Sequence, residues 1–275
     1  LVQVQSEDYF KVRKKFKTKL IAEKHAPSRI DSMCKPPADV AVIDFYSGDL
    51  YKNEPLTLKA WTNKPKTGDK KKYPIVIYLH GGFFFETEDW NMTKPFRDSG
   101  FVVVAPILRG EDGQKGVFSL FYDEVNDVIA LAQYLREQPY VDKNRIYLSG
   151  HSVGGTLTLL AAQCSKLFTK AASFSGSPDQ VIYCKYGFPS KFIPFDTLNV
   201  KEFEVRSPLS YAGSFKCPVR LYYGTREPHF HLSTLQTVKE AKKKSLDVES
   251  IRVEGGHEDT VPEEMKRAIR FFNEK

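Results

Sequence analysis

The chain has 275 residues, enough to bury a substantial core, and one α/β-hydrolase domain over residues 1–275 is the expected organisation. With 41% hydrophobic and 27% charged residues, and no apolar run near the ~18 residues a membrane span requires, the composition excludes an integral helical membrane protein. The net charge of +7 is scattered; its densest group, residues 64–72 (KPKTGDKKK), carries Pro and Gly and reads as a loop, so no nucleic-acid partner is expected.

Residues 6–24 place apolar side chains at Phe10, Val12, Phe16, Leu20 and Ile21 among lysines, which predicts a surface helix in an N-terminal packing arm spanning residues 1–38. The chain starts at Leu1 without an initiator Met. A removed signal peptide and a trimmed sequence both fit that start, so the compartment stays open between the cytoplasm and the periplasm or exterior. Residues 40–45 (VAVIDF) and 56–61 (LTLKAW) alternate like strands, with Ser47-Gly48-Asp49 as turn chemistry between them, and predict an antiparallel pair opening the sheet.

From Pro74 the pattern changes. IVIYL (75–79), FVVVA (101–105), RIYLSG (145–150), AASFSG (171–176), VRLYYG (219–224) and ESIRVEG (249–255) are short apolar runs suited to strands buried on both faces, as in a parallel sheet. Residues 122–137, 155–167, 234–245 and 261–273 carry helical periodicity between and after them. The alternation predicts a doubly wound, mostly parallel α/β sheet.

Residues 177–207 break the rhythm, being too long for a bare connection and rich in aromatics, among them Tyr183, Phe188 and Phe192. They read either as a helical excursion packed on the core or as a small cap shaping an apolar substrate pocket. Cys34, Cys164, Cys184 and Cys217 lack metal-ligand spacing and leave the redox compartment undecided.

The chemistry concentrates at Gly150-His151-Ser152-Val153-Gly154, a G-x-S-x-G match that follows an apolar strand and opens an apolar helix. A serine on such a turn needs small neighbours, and the helix start supplies free N–H groups where an oxyanion would form. Its hydroxyl needs a base. Of six histidines, His257 stands just past the last predicted strand, in Glu254-Gly255-Gly256-His257.

A carboxylate to orient that imidazole is expected between serine and histidine, after the strand VRLYY. Glu227 is the candidate there, with Asp259 as the fallback. His80-Gly81-Gly82 follows the strand IVIYL and offers the Gly82 amide, or next the Phe83 amide, as an oxyanion donor beside Val153. Arg109 after the strand FVVVA reads as a substrate-carboxylate ligand or as a partner of Glu111, Asp112 or Asp123 within the protein. Phe83, Arg109, Tyr183 and Phe188 are the candidate substrate-binding residues.

In this order LHGGF, APILRGEDGQKG, GHSVGG, SPLSYAGSFKCPVRLYYGTREP and EGGHE resemble the catalytic domain of the prolyl-oligopeptidase-like serine hydrolases, from about Pro74 onward. The resemblance implies an α/β-hydrolase fold, an acyl-enzyme mechanism and a catalytic serine, acid and histidine at Ser152, Glu227 and His257. Glu227 stands where the family usually has aspartate, the propeller of the larger members has no room before Pro74, and Phe83, Phe84 and Phe85 offer no tyrosine hydroxyl to the oxyanion hole. The expected activity is ester hydrolysis without metal or organic cofactor. The substrate is a small-molecule ester or a short peptide, peptide cleavage is the alternative activity, and a non-catalytic binding protein is the rival class.

Overall fold

Continuous apolar strands joined by amphipathic segments bury both faces of a sheet only when helices cover each side. The computed structural model describes residues 1–21, 25–27, 32–49, 54–65, 68 and 70–274. Its strands are β1 (Ala41–Asp49), β2 (Glu54–Thr62), β3 (Tyr73–Leu79), β4 (Val102–Pro106), β5 (Val141–His151), β6 (Lys170–Phe174), β7 (Val219–Gly224) and β8 (Val248–Val253). They form one sheet in the order β1-β2-β4-β3-β5-β6-β7-β8. β2 pairs antiparallel with β1 and with β4, and every later neighbour is parallel.

The helices in chain order are α1 (Tyr9–Lys15), α2 (Thr87–Met92), α3 (Lys94–Asp98), α4 (Glu124–Arg136), α5 (Val153–Cys164), α6 (Gln180–Tyr186), α7 (Val200–Glu204), α8 (Pro228–Lys242) and α9 (Val261–Asn273). Strand alternation decides which layer each side chain enters. Along β3, Ile75, Ile77 and Leu79 join Leu131 of α4 and Leu157 of α5, while Val76 and Tyr78 join Trp90, Phe96, Met265 and Phe272 from α2, α3 and α9. Burying each such side chain contributes ~1.5–3 kcal/mol. The result is the α/β-hydrolase fold.

The N-terminal helix is shorter than its periodicity predicts. It ends at Lys15, and the chain continues extended because its backbone groups find partners in the aromatic insertion. The Lys19 N–H donates to Glu202 Oε1 at 2.9 Å, the Ile21 N–H donates to Pro194 O at 2.8 Å, and Leu20 bridges Phe195. The last predicted helical residues, 22–24, lie outside the described residues, as do 66, 67 and 69 of the lysine-rich loop.

A second correction concerns Ser47-Gly48-Asp49, which continues β1 instead of turning: Asp49 pairs with Glu54, and the connection at 50–53 lies outside the described residues. Helices α2 and α3 carry only single buried anchors, Trp90 and Phe96, too sparse a pattern to mark a helix in sequence.

Glu264 on α9 is fully buried beneath the carboxyl edge of the sheet. Burial, reinforced by the Glu227 charge, pushes its carboxyl from an ordinary 4.5 up to about 8. The folded chain therefore keeps a proton that the unfolded chain releases, so stability falls as pH rises between those values and levels off above about 8. Glu264→Gln is expected to raise Tm by roughly 5 °C at pH 8 and to leave it unchanged near pH 4, measured by thermal melts at both pH values.

Candidate active site

Loops from β3, β5, β6, β7 and β8 converge at the carboxyl edge of the parallel strands. Between β5 and α5, Ser152 adopts φ 55°, ψ −114°, a conformation costing a non-glycine residue about 1–3 kcal/mol. Neighbouring contacts hold it there. The Ser152 N–H donates to Phe174 O at 2.8 Å, and the Gly154 N–H donates to His80 O at 3.0 Å.

The flanking glycines are required by close approach. A Cβ on Gly150 would lie 2.5 Å from the Gly154 carbonyl oxygen, and one on Gly154 would collide with the Leu79 carbonyl. Val153 opens α5, so its N–H belongs to the free positive end of that helix. Gly81 packs onto the serine, a Cβ built on it lying 3.6 Å from Ser152 Cβ, and Gly82 follows with φ +67°.

His257 lies in the loop after β8, with its Nδ1 2.5 Å from Glu227 Oε1. Glu227 precedes α8 and is 6% exposed. Its other oxygen, Oε2, accepts the Ser175 hydroxyl at 2.6 Å and the Gly224 N–H at 2.5 Å. Burial alone would raise this carboxyl, but hydrogen bonds from His257, Ser175 and the Gly224 amide outweigh it and hold the group below the usual carboxylate range. Asp259, the fallback acid, instead pairs with Arg226 at the surface.

His151 ties three of these loops together. It is buried next to Ser152, its Nε2–H donates to the His257 carbonyl at 2.9 Å, and its Nδ1 is 3.0 Å from the Cβ position of Gly81. Burial, with the nearby His257 adding to it, pushes its pKa down, which favours the neutral ring. Among the described residues, His151, His257 and Glu258 bring one ligand atom each within 4.8 Å of one another, as a metal site would. The bonds from His151 to His257 O and from His257 to Glu227 engage one nitrogen of each ring.

Phe83, Tyr183 and Phe188 come together. Phe83 meets Phe118 and Phe188 at ring separations of 5.3 and 5.2 Å, while Tyr183 stacks on Phe188 at 5.8 Å and meets Phe121 at 5.5 Å. This aromatic wall begins one residue after Gly82. Arg109 does not join it. Its side chain is fully buried and grips Asp127 with two bonds, 2.9 Å from Nε and 2.6 Å from Nη2, which corrects its reading as a substrate ligand.

Of the internal partners expected from sequence, Asp123 does lie 3.9 Å from Arg109 Nη1, whereas Glu111 bonds His80 and Asp112 accepts the Phe85 N–H. Ser175 escaped sequence reasoning. The signal available was a small polar residue at the end of a strand, but its φ of 48°, which re-aims the hydroxyl, follows from tertiary contacts.

A family model described as the prolyl oligopeptidase family matches residues 87–275. The chain belongs to that family. As a member it is a serine hydrolase with the α/β-hydrolase fold.

It is 25% identical over 213 residues to "Uncharacterized peptidase YtmA" of Bacillus subtilis, covering 70% of this chain and 77% of that protein. It is also 25% identical over 186 residues to "Dipeptidyl-peptidase 5" of Porphyromonas gingivalis, covering 60% of this chain but 27% of that one. The fold matches that of a Mycobacterium tuberculosis puromycin-hydrolyzing peptidase with a TM-score of 0.71 at 21% identity, over 86% of this chain and 40% of the other. The chain thus spans well under half the length of the larger relatives. Among the described residues, no helix is long and apolar enough to cross a membrane.

Proposed function

We propose that the chain is a serine peptidase-like hydrolase that cleaves short peptides through an acyl-enzyme. In this reading His257 takes the Ser152 proton as the hydroxyl attacks the scissile carbonyl, and Glu227 holds the imidazole in the tautomer that makes this possible. The Gly82 and Val153 amides receive the oxyanion, water releases the acyl group, and the wall of Phe83, Tyr183 and Phe188 faces the apolar part of the substrate.

The observation that carries the reading is the 2.5 Å contact of His257 with Glu227 on the loops adjoining the Ser152 turn. The relatives named as peptidases favour peptide cleavage over the ester hydrolysis expected from sequence, and no observation favours the ester. The same nucleophile serves both, so substrate comparison decides. Dipeptidyl and aminoacyl p-nitroanilides with apolar side chains are expected to turn over at kcat/KM comparable to p-nitrophenyl butyrate. Rapid ester cleavage with no measurable amide cleavage would return the assignment to an esterase.

A further inference from the structure

His80, at the carboxyl end of β3, is buried and makes two contacts that fix its protonation. Its Nδ1 lies 3.0 Å from the Gly81 carbonyl oxygen, and its Nε2 lies 3.0 Å from Glu111 Oε2. The Glu111 oxygen also accepts the Leu108 N–H at 3.1 Å, which marks it as an acceptor. A carbonyl and a carboxylate only accept, so both ring nitrogens carry hydrogen and the ring is an imidazolium. Burial opposes that charge, but the Glu111 carboxylate and its hydrogen bond overcome the penalty and push His80 up to about 10.

The Gly81 carbonyl and the Gly82 N–H belong to one peptide plane and point in opposite directions across it. A donor that grips the carbonyl from the protein side turns the amide hydrogen away from itself. Gly81 in turn packs against Ser152. The next residue of the acidic pair, Asp112, accepts the Phe85 N–H at 2.7 Å, so Glu111 and Asp112 brace the 81–85 loop at both ends.

We propose that the buried His80–Glu111 pair positions the oxyanion hole: the imidazolium holds the Gly81–Gly82 peptide so that the Gly82 N–H meets the substrate oxygen, and its charge lies close to where negative charge develops. The proposal rests on the assignment of Ser152 and Gly82 above. His80 and Glu111 are positioning residues, because neither touches substrate in this scheme.

The test compares His80→Ala, His80→Asn, Glu111→Ala and Glu111→Gln by kcat, KM and affinity for a peptide boronate, whose tetrahedral adduct reports on the oxyanion hole. Loss of one oxyanion donor costs about 10²- to 10³-fold, and His80→Ala is expected to lower kcat and boronate affinity by that order, with KM changed less than about threefold. His80→Asn, whose amide still reaches the Gly81 carbonyl, is expected to recover at least about tenfold of the loss.

In Glu111→Gln the amide oxygen takes the place that accepts both the Leu108 N–H and the His80 Nε2–H, so a ring that loses its charge keeps hydrogen on Nε2 and gives up the Nδ1–H bond to Gly81; kcat and boronate affinity are expected to fall by the order seen for His80→Ala. Equal losses in His80→Ala and His80→Asn, or losses spread equally over kcat and KM with a matching fall in Tm, would overturn the proposal. So would unchanged boronate affinity. Labelling of the wild type by a fluorophosphonate separates the two levels: an unlabelled Ser152 sinks the nucleophile assignment itself, whereas a labelled Ser152 with unaffected variants sinks only the role of His80 and Glu111.

Discussion

Ser152→Ala is expected to lower kcat for a peptide p-nitroanilide about 10⁶-fold while the protein melts at the wild-type temperature. The serine contributes the bond-forming atom, and no neighbour replaces it, because His151 Nε2 is committed to the His257 carbonyl. Alanine tolerates φ 55° no worse than serine does, and the backbone bonds of residue 152 to Phe174 and of residue 154 to His80 do not involve the lost hydroxyl. Whatever rate survives reports the oxyanion donors and substrate positioning. Residual activity above about 1% of wild type would place the nucleophile elsewhere.

Glu227→Gln is expected to cost about 10⁴-fold in kcat, and the reason is directional. Glu227 Oε2 accepts from the Ser175 hydroxyl and the Gly224 amide, so the carbonyl oxygen of glutamine takes that place. The glutamine NH₂ is then left facing His257 Nδ1, where it can only donate. That bond selects the tautomer with a hydrogen on Nε2, which cannot accept a proton from Ser152. Measuring kcat alongside the NMR signals of the His257 ring tests this chain of causes. An activity loss below about tenfold would remove Glu227 from the mechanism and reopen the search for the acid.

The parts of this protein legible in sequence are those set by local chemistry. Six apolar runs located the strands from β3 to β8 to within a few residues, because burial on both faces leaves no room for polar alternation. The glycines around Ser152 marked the turn because a Cβ there meets backbone directly. Position after a strand was enough to nominate His257 and Glu227, since parallel strands bring their carboxyl ends to one edge.

Side-chain pairing was another matter. From sequence, Arg109 had Glu111, Asp112 and Asp123 as plausible partners; the fold keeps Asp123, 3.9 Å away, adds Asp127 on α4, and leaves Glu111 to His80 and Asp112 to the Phe85 amide. The N-terminal helix failed beyond Lys15 for a related reason: hydrogen bonds from the insertion at 194–202 outcompeted helix propagation, whose own gain per residue is small.

The sequence by itself determined the strands from β3 to β8, the glycine-flanked turn at Ser152 and the placement of Ser152, Glu227 and His257 after successive strands, because each depends on the burial pattern or on backbone space within a few neighbouring residues. The tertiary structure alone decided that Ser175 and Gly224 bond Glu227, that His151 joins the loops of Ser152 and His257, and that His80 stands between Glu111 and the Gly81 carbonyl. These contacts span up to 106 residues of chain, and their directions follow from where packed strands end rather than from any local preference.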